Sequence, residues 1–437
     1  MIGKVKNQEA ILTKLGIEKL NDMQLAAHQA MFNAKDVVLL SPTGTGKTLA
    51  FLLPLIANLD EQKTGIQALI LVPSRELAMQ IEQVFREMGS GYKTNAVYGG
   101  RAGAKDKQEL KHPPSILIGT PGRVADHIRR ENIEPLGITT LVLDEFDKSL
   151  EVGFEKEMVE IISTLHNLNQ RILTSATQHG AIPEFVGLTN PEQLNFLDQE
   201  ESNLKLQIVS SASGNKMEAL ENLLGELGEG NGIIFCNLKE SIEALSKHLR
   251  EKGIGHGCFY GGLDQKDRER ALIKFRNGTY KLLLSTDLAA RGIDVPAMDF
   301  IIHFQLPYKK NDFTHRNGRT ARMNSNGNAY IMKGRLEKMP YYVDDLDEIA
   351  MNTKASFTPS RWETLYISGG RKDKISKGDI AGLFFKQGNL KNDELGTIEL
   401  KQDCAFVAVP ASKTAELISS LTNSKLKKKK VRISALA

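Results

Sequence analysis

Short apolar runs recur along the first half of the chain, separated by stretches with helical texture. They are Val37–Leu40, Leu69–Val72, Ile116–Ile118, Leu141–Leu143 and Ile172–Leu173. Continuous apolar strands alternating with helices predict a parallel sheet covered on both faces, because such strands bury both sides. The pattern then restarts with Ile233–Phe235, Leu282–Leu284, Ile301–Phe304 and Ala329–Met332. Between the two series runs a polar segment, Asp198 to Lys216, holding Glu200-Glu201-Ser202-Asn203 and Ser210-Ser211-Ala212-Ser213-Gly214. It predicts a hinge near Asn203 to Asn215.

The texture changes again after Asn352-Thr353-Lys354. From there the chain reads strand (Thr364–Ile367), helix (Lys377–Lys386), strand (Thr397–Leu400), strand (Ala405–Val409), helix (Ser412–Leu421) and strand (Lys430–Ile433). A β-α-β-β-α-β order of this size is that of a split βαβ module, shared by RNA-recognition domains and many others. The expected fold is therefore α/β, with two tandem parallel-sheet domains at 1–203 and 204–355 and a small βαββαβ domain at 362–437.

Composition supports this division. A chain of 437 residues with 41% hydrophobic and 25% charged residues is globular and too long for one typical core. No stretch approaches the roughly 18 consecutive apolar residues of a membrane span, so no membrane association is expected. Met1-Ile2-Gly3-Lys4-Val5-Lys6 has no apolar run behind it, so no secretory signal is expected either. Cys236, Cys258 and Cys404 lack paired spacing, which argues against a zinc site or disulfide framework and suits a reducing, cytoplasmic setting. Net charge is only +4, yet residues 361–437 hold 15 Lys and Arg against 8 Asp and Glu, or +7, leaving −3 for the rest. A polyanion is expected to meet the C-terminal end.

The first site motif is Ser41-Pro42-Thr43-Gly44-Thr45-Gly46-Lys47-Thr48, set between a strand and an apolar helix. That context is what a phosphate loop requires. Ser41, Thr43, Gly44, Thr45 and Gly46 would let backbone N–H groups approach phosphate oxygens, Lys47 would reach the β/γ-phosphates of ATP, and Thr48 would bind Mg2+. Asp144-Glu145-Phe146-Asp147 follows the strand Leu141–Leu143. Asp144 can share the Mg2+, and Glu145 can orient the attacking water. Alone, such an acidic turn would be a solvated loop or helix cap. Its position downstream of a phosphate loop makes it catalytic.

In these and further motifs the chain resembles the DEAD-box RNA helicases of helicase superfamily 2, with the acidic box written Asp-Glu-Phe-Asp. Pro73-Ser74-Arg75-Glu76, Gly99-Gly100, Thr120-Pro121-Gly122-Arg123 and Ser175-Ala176-Thr177 follow in family order. So do Phe235-Cys236-Asn237, Gln265-x-x-Arg268, Ser285-Thr286-Asp287 running to Asp294, and His315-Arg316-Asn317-Gly318-Arg319-Thr320-Ala321-Arg322. The resemblance implies two RecA-like domains. It makes Arg319 and Arg322 arginine fingers, Asp294 a ribose contact, and Gln24 the reader of adenine. It also makes Asp147, Ser175, Thr177 and His315 coupling residues. RNA contacts would come from Ser74, Arg75, Gly100, Thr120, Arg123, Gln265, Arg268, Thr286 and Asp287. Read from the residues alone, Arg316, Arg319 and Arg322 could instead form one solvated basic helix face. Two departures from the family stand out: Ile17 replaces an aromatic ahead of Gln24, and Phe146 replaces Ala in the acidic box.

Ile367-Ser368-Gly369-Gly370-Arg371-Lys372-Asp373-Lys374-Ile375-Ser376-Lys377 resembles the C-terminal domain of the DbpA-like subfamily. That resemblance implies RNA binding by an RRM-like module, with Arg371, Lys372, Lys374 and Lys377 as candidate contacts and 23S ribosomal RNA or a large-subunit precursor as the partner. Phe406 is read as core rather than stacking platform, since alternation buries one side of its strand. The expected protein is a monomeric, ATP-dependent RNA helicase that unwinds short duplexes or remodels ribonucleoprotein during large-subunit assembly. The competing readings are an ATP-dependent RNA clamp or annealing scaffold, and a DNA helicase or translocase of the same superfamily.

Overall fold

The computed structural model describes residues 7–100, 103–178, 182–197, 204–211, 213–287, 295, 298–320, 327–343, 346–351 and 357–436. These fall into two compact units, one of the described residues up to 197 and one of those from 204 onward. The first unit carries β1 (Asp36–Leu40), β2 (Ala68–Leu71), β3 (Thr94–Val97), β4 (Ile116–Gly119), β5 (Thr140–Leu143), β6 (Gln170–Ser175) and β7 (Glu192–Asn195). All pair in parallel, in the order β3-β4-β2-β5-β6-β1-β7.

Side-chain alternation sorts the two faces of this sheet. Ile70, Ile116, Ile118, Val142 and Ile172 enter one core with Phe51, Ile81 and Phe85, while Leu69, Leu71, Leu117, Leu141 and Leu143 enter the other with Val124 and Ile161. Both faces are dry, as the unbroken apolar runs predicted.

The second unit holds β8 (Leu204–Ser210), β9 (Gly232–Phe235), β10 (His256–Phe259), β11 (Leu282–Ser285), β12 (Phe300–His303), β13 (Gly327–Met332) and β14 (Glu348–Ala350). Their order, β10-β11-β9-β12-β13-β8-β14, is that of the first sheet with every number raised by seven. The two sheets are therefore one topology used twice. Here the expected hinge is corrected, because β8 runs through it and pairs with β13 and β14. Leu204-Lys205-Leu206-Gln207-Ile208 alternates apolar and polar residues, the pattern of a strand rather than a tether.

The same unit continues into a four-stranded antiparallel sheet, order β16-β17-β15-β20, made of β15 (Trp362–Ile367), β16 (Ile398–Leu400), β17 (Ala405–Pro410) and β20 (Ile433–Ala435). Helices Lys377–Lys386 and Thr414–Leu421 cover one face, packing Leu383, Phe384 and Leu417 on Leu365, Val407 and Val409. The last strand starts at Ile433 instead of Lys430. The lysine run folds into its own hairpin, β18 (Lys425–Leu426) and β19 (Lys429–Lys430), turning at Lys427 with φ +57°.

Candidate nucleotide and RNA sites

Ligands of open parallel sheets gather at the carboxyl ends of the strands. In the first unit those ends carry the candidate nucleotide and RNA residues in two separate groups. β1, β5 and β6 lead into the phosphate loop, the acidic box and Ser175-Ala176-Thr177. β2, β3 and β4 lead into Ser74-Arg75, Gly99-Gly100 and Thr120–Arg123. The strand order keeps each set contiguous and changes over between β2 and β5.

In the phosphate loop, Gly44 and Gly46 both adopt φ +88°, and Gly46 leads directly into helix Lys47–Ala57. Gly46 is constrained twice, since an added Cβ would lie 2.5 Å from the Gln24 amide nitrogen. The Lys47 ammonium donates to the carbonyls of Ser41 and Pro42, 2.6 Å each. Ser41 and Thr45 share a hydroxyl bond of 2.7 Å. Thr43 and Thr48 are half-buried beside them.

Gln24 serves this loop. Its Oε1 accepts from the Asn21 N–H at 3.1 Å, its own N–H returns to Asn21 Oδ1 at 2.8 Å, and Nε2 donates to the Gly46 carbonyl at 3.3 Å. Both ends of the amide expected to read adenine are thus engaged in a capping box and a strut under the loop. Ile17 is half-buried and packs on the core.

Asp144 is 4% exposed. It accepts a short bond from the Thr174 hydroxyl and another from the Glu145 N–H at 3.1 Å. Burial pushes its carboxyl above the usual carboxylate range, against the pull of Thr174 and the Lys47 ammonium. A carboxylate in that position gains from a nearby cation. Glu145 sits in the left-handed region at φ +47°, a conformation costing a non-glycine residue about 1 kcal/mol or more and concentrated at functional sites. Asp147, 1% exposed, accepts from the Thr177 hydroxyl at 3.0 Å, while Ser175 Oγ bonds the Thr177 backbone. The acidic box and Ser175-Ala176-Thr177 are thereby tied together. Phe146 points into the core beneath the sheet, so its bulk leaves the Asp147 contact intact.

Among the candidate RNA contacts, Ser74 caps helix Arg75–Met88 by accepting from the Leu77 N–H at 3.2 Å. Arg75 lies 3.7 Å from Glu76 and against Gly100. Thr120 is the N-cap of helix Pro121–Arg129 and makes no side-chain cap bond. Arg123 packs on Gly103 and pairs with the buried Asp106 at 2.9 Å and with Asp126 at 3.4 Å. Asp106, missed from sequence, also accepts from His127, whose other ring nitrogen meets Asn132.

The second unit has its own centre, Arg316, 2% exposed. Its guanidinium donates to both Asp287 oxygens at 2.6 Å, to the Gln305 carbonyl at 2.5 Å and to Asn237 Oδ1 at 2.8 Å, and it stacks 5.0 Å over Phe235. Asp287, expected against the RNA backbone, closes on Arg316. The solvated-face reading also fails for the described arginines, because Arg319 is only 8% exposed. A signal for Arg316 was available: Phe313 and Arg316 stand three residues apart on the buried side of helix Lys310–Asn317. Thr286 and His315 are half-buried, and Arg268 donates to Gln265 at 2.8 Å. Asp294 and Arg322 lie outside the described residues.

His303 packs on Phe313 at 4.6 Å and bonds Asn317 at 2.9 Å. Burial, aided by the Arg316 charge, lowers its pKa to about 3. The unfolded chain therefore binds a proton near pH 6.5 that the folded chain refuses until about pH 3, so this group's stabilisation is complete above 6.5 and lost as pH falls. Between pH 7 and 5 the expected loss is about 2 kcal/mol, which His303→Asn should remove. Urea unfolding of both proteins at the two pH values measures the difference.

In the C-terminal module Arg371, Lys372, Lys374 and Lys377 are all exposed. Lys372 pairs with Asp403 at 2.5 Å. The preceding glycines are structural, since a Cβ on Gly370 would lie 2.4 Å from the Gln402 carbonyl oxygen. Lys427 and Lys429 are bound to Asp379 and Asp373.

Comparison with known proteins accords with this arrangement. Residues 21–185 match the family model for DEAD/DEAH box helicase, 215–324 that for the helicase conserved C-terminal domain, and 364–435 that for the DbpA RNA binding domain. The chain is 30% identical to ATP-dependent RNA helicase DbpA of Escherichia coli, covering 97% of this chain and 96% of that protein. The Bacillus subtilis protein of the same name is also 30% identical, with the same coverage. Among solved structures, Saccharomyces cerevisiae Dbp5 bound to RNA and ADP BeF3 superposes with a TM-score of 0.68 at 26% identity, covering 79% of this chain and 94% of that one.

Proposed function

We propose, proceeding from the fact that this chain belongs to the DEAD-box ATP-dependent RNA helicases and carries their DbpA-type RNA-binding domain, that it opens short duplexes in 23S ribosomal RNA during large-subunit assembly. RNA-dependent ATP hydrolysis comes with the family. The anchoring on ribosomal RNA is our reading. Its main support is the C-terminal module, where Arg371, Lys374 and Lys377 stand exposed around the start of helix Lys377–Lys386 and offer charge to a phosphate backbone.

In this account ATP lies on the phosphate loop with Lys47 turned from the loop carbonyls to the phosphates, and Arg319 and Arg322 supply charge from the second unit. The donor set fits Mg2+: a hydroxyl and a buried carboxylate, hard oxygen ligands that leave room for phosphate and water. Thr48 and Asp144 would hold the ion, which supplies charge neutralisation at the phosphates. Glu145 orients the attacking water. A site completed only when ATP and RNA close the two units on each other hydrolyses slowly without RNA. The proposal extends to a monomer acting in the cytoplasm.

Charge reversal of Lys374 and Lys377 to glutamate in the full chain is the test. The RNA concentration giving half-maximal ATPase should rise about tenfold or more with a peptidyl-transferase-region fragment of 23S RNA and stay level with generic RNA. Equal effects on both RNAs would remove the anchoring role.

A further inference from the structure

The outward face of the C-terminal sheet carries one cross-strand row, Glu399, Phe406, Tyr366 and Ser434, each opposite the next. In an ordinary RNA-recognition module, aromatics on the central strands of that face stack bases. Here the face is occupied. Ile273 packs on Phe406 and Leu436, leaving them 8% exposed each. Arg276 makes a two-pronged pair with Glu399, 2.7 and 2.9 Å. The Thr279 and Thr364 hydroxyls meet at 2.8 Å, and Ser360 Oγ donates to the Gly278 carbonyl at 2.5 Å. All of the covering groups come from the last turns of helix Gln265–Arg276 and the turn behind it.

The first turn of that same helix carries Gln265 and Arg268, the candidate RNA contacts of the second parallel-sheet domain. One helix thus holds an RNA-contacting end and a module-docking end, separated by about 16 Å at 1.5 Å per residue. We infer that Ile273 and Arg276 are positioning residues that lock the C-terminal module to this helix, so that anchored RNA and the duplex being opened keep a fixed separation. The sheet face works as a joint, and base stacking on it is closed off while the joint holds. This rests on the anchoring reading above. A fork-shaped guanidinium–carboxylate pair suits such a joint because it fixes angle as well as distance.

The test uses substrates in which the 23S fragment is joined to a short duplex by single-stranded spacers of increasing length. The wild-type protein should show an unwinding maximum at one spacer length. Arg276→Glu and Glu399→Arg, each alone, should flatten that maximum by about fivefold, and the double exchange should restore it. Affinity for the fragment and ATPase with generic RNA should stay within about twofold, since neither residue is among the candidate RNA or nucleotide contacts. A sharp maximum persisting in both single variants overturns the inference, as does a double variant no better than either single. A wild-type profile that is flat while the fragment is still preferred over generic RNA also defeats it and leaves anchoring intact. Loss of the preference itself defeats anchoring and this inference together.

Discussion

Glu145→Gln should abolish turnover while leaving ATP and RNA binding in place, so that the protein accumulates as a closed ATP–RNA complex. The carboxylate belongs to a residue held at φ +47° between the buried Asp144 and the core-anchored Phe146, and its N–H is fixed by Asp144 and Thr174. That scaffold is backbone-built, so an isosteric amide should sit where the acid sat. What disappears is the group that polarises the attacking water, and such groups contribute about 10²–10⁴-fold to rate. Single-turnover phosphate release and retention of labelled RNA on a filter measure the two halves. Undiminished phosphate release would take Glu145 out of its role.

Arg316→Met is expected to have the largest effect on stability. It strands Asp287, Asn237 and the Gln305 carbonyl, all of which accept from one guanidinium. Breaking a buried ion pair by removing one partner costs about 3–5 kcal/mol, chiefly through the charge left behind. Arg316→Lys should recover little, since an ammonium cannot match the two-pronged Asp287 contact and the stack on Phe235. Arg316→Met combined with Asp287→Leu should cost clearly less than the two single changes summed, because the stranded charge is gone. RNA-stimulated ATPase should fall in all of them, as Arg319 follows directly on the helix that Arg316 fastens. Urea unfolding of the four variants checks the energies, and strictly additive losses would contradict the account.

Strands buried on both faces were legible in the sequence because nothing polar interrupts them. Leu69–Val72 and Leu141–Leu143 could hardly have been anything else. The strands that escaped are edge or half-polar ones: β3 reads Thr-Asn-Ala-Val, β7 Glu-Gln-Leu-Asn, β14 Glu-Ile-Ala, and β10 His-Gly-Cys-Phe. β8 was hidden in plain alternation by the polar residues flanking it. Repetition of the strand order in the two sheets could not be read at all, since it lives in pairing and not in residue pattern.

Candidate roles could be assigned from the sequence wherever chemistry demands a residue type, as with Lys47, Asp144 and Arg319. They were illegible where residues act through others. Thr174 differs from any strand threonine only by facing Asp144, and Asp106 from any helical aspartate only by facing Arg123. Phe406 was assigned to its module's core, and there the reading is corrected: alternation sends Ala405, Val407 and Val409 inward and leaves Phe406 on the outward face, where Ile273 of the helix Gln265–Arg276 buries it, a contact no local pattern encodes.

The parallel-sheet ATPase is expected to be switched on by RNA that the C-terminal module selects. Steady-state ATP hydrolysis by the full chain, titrated with the 23S fragment, with generic RNA of equal length and with DNA of the fragment's sequence, tests it most directly. Both RNAs should reach similar maximal rates, the fragment at a concentration at least about tenfold lower, with DNA inert. Equal half-saturation by the two RNAs, or stimulation by the DNA alone, would contradict it.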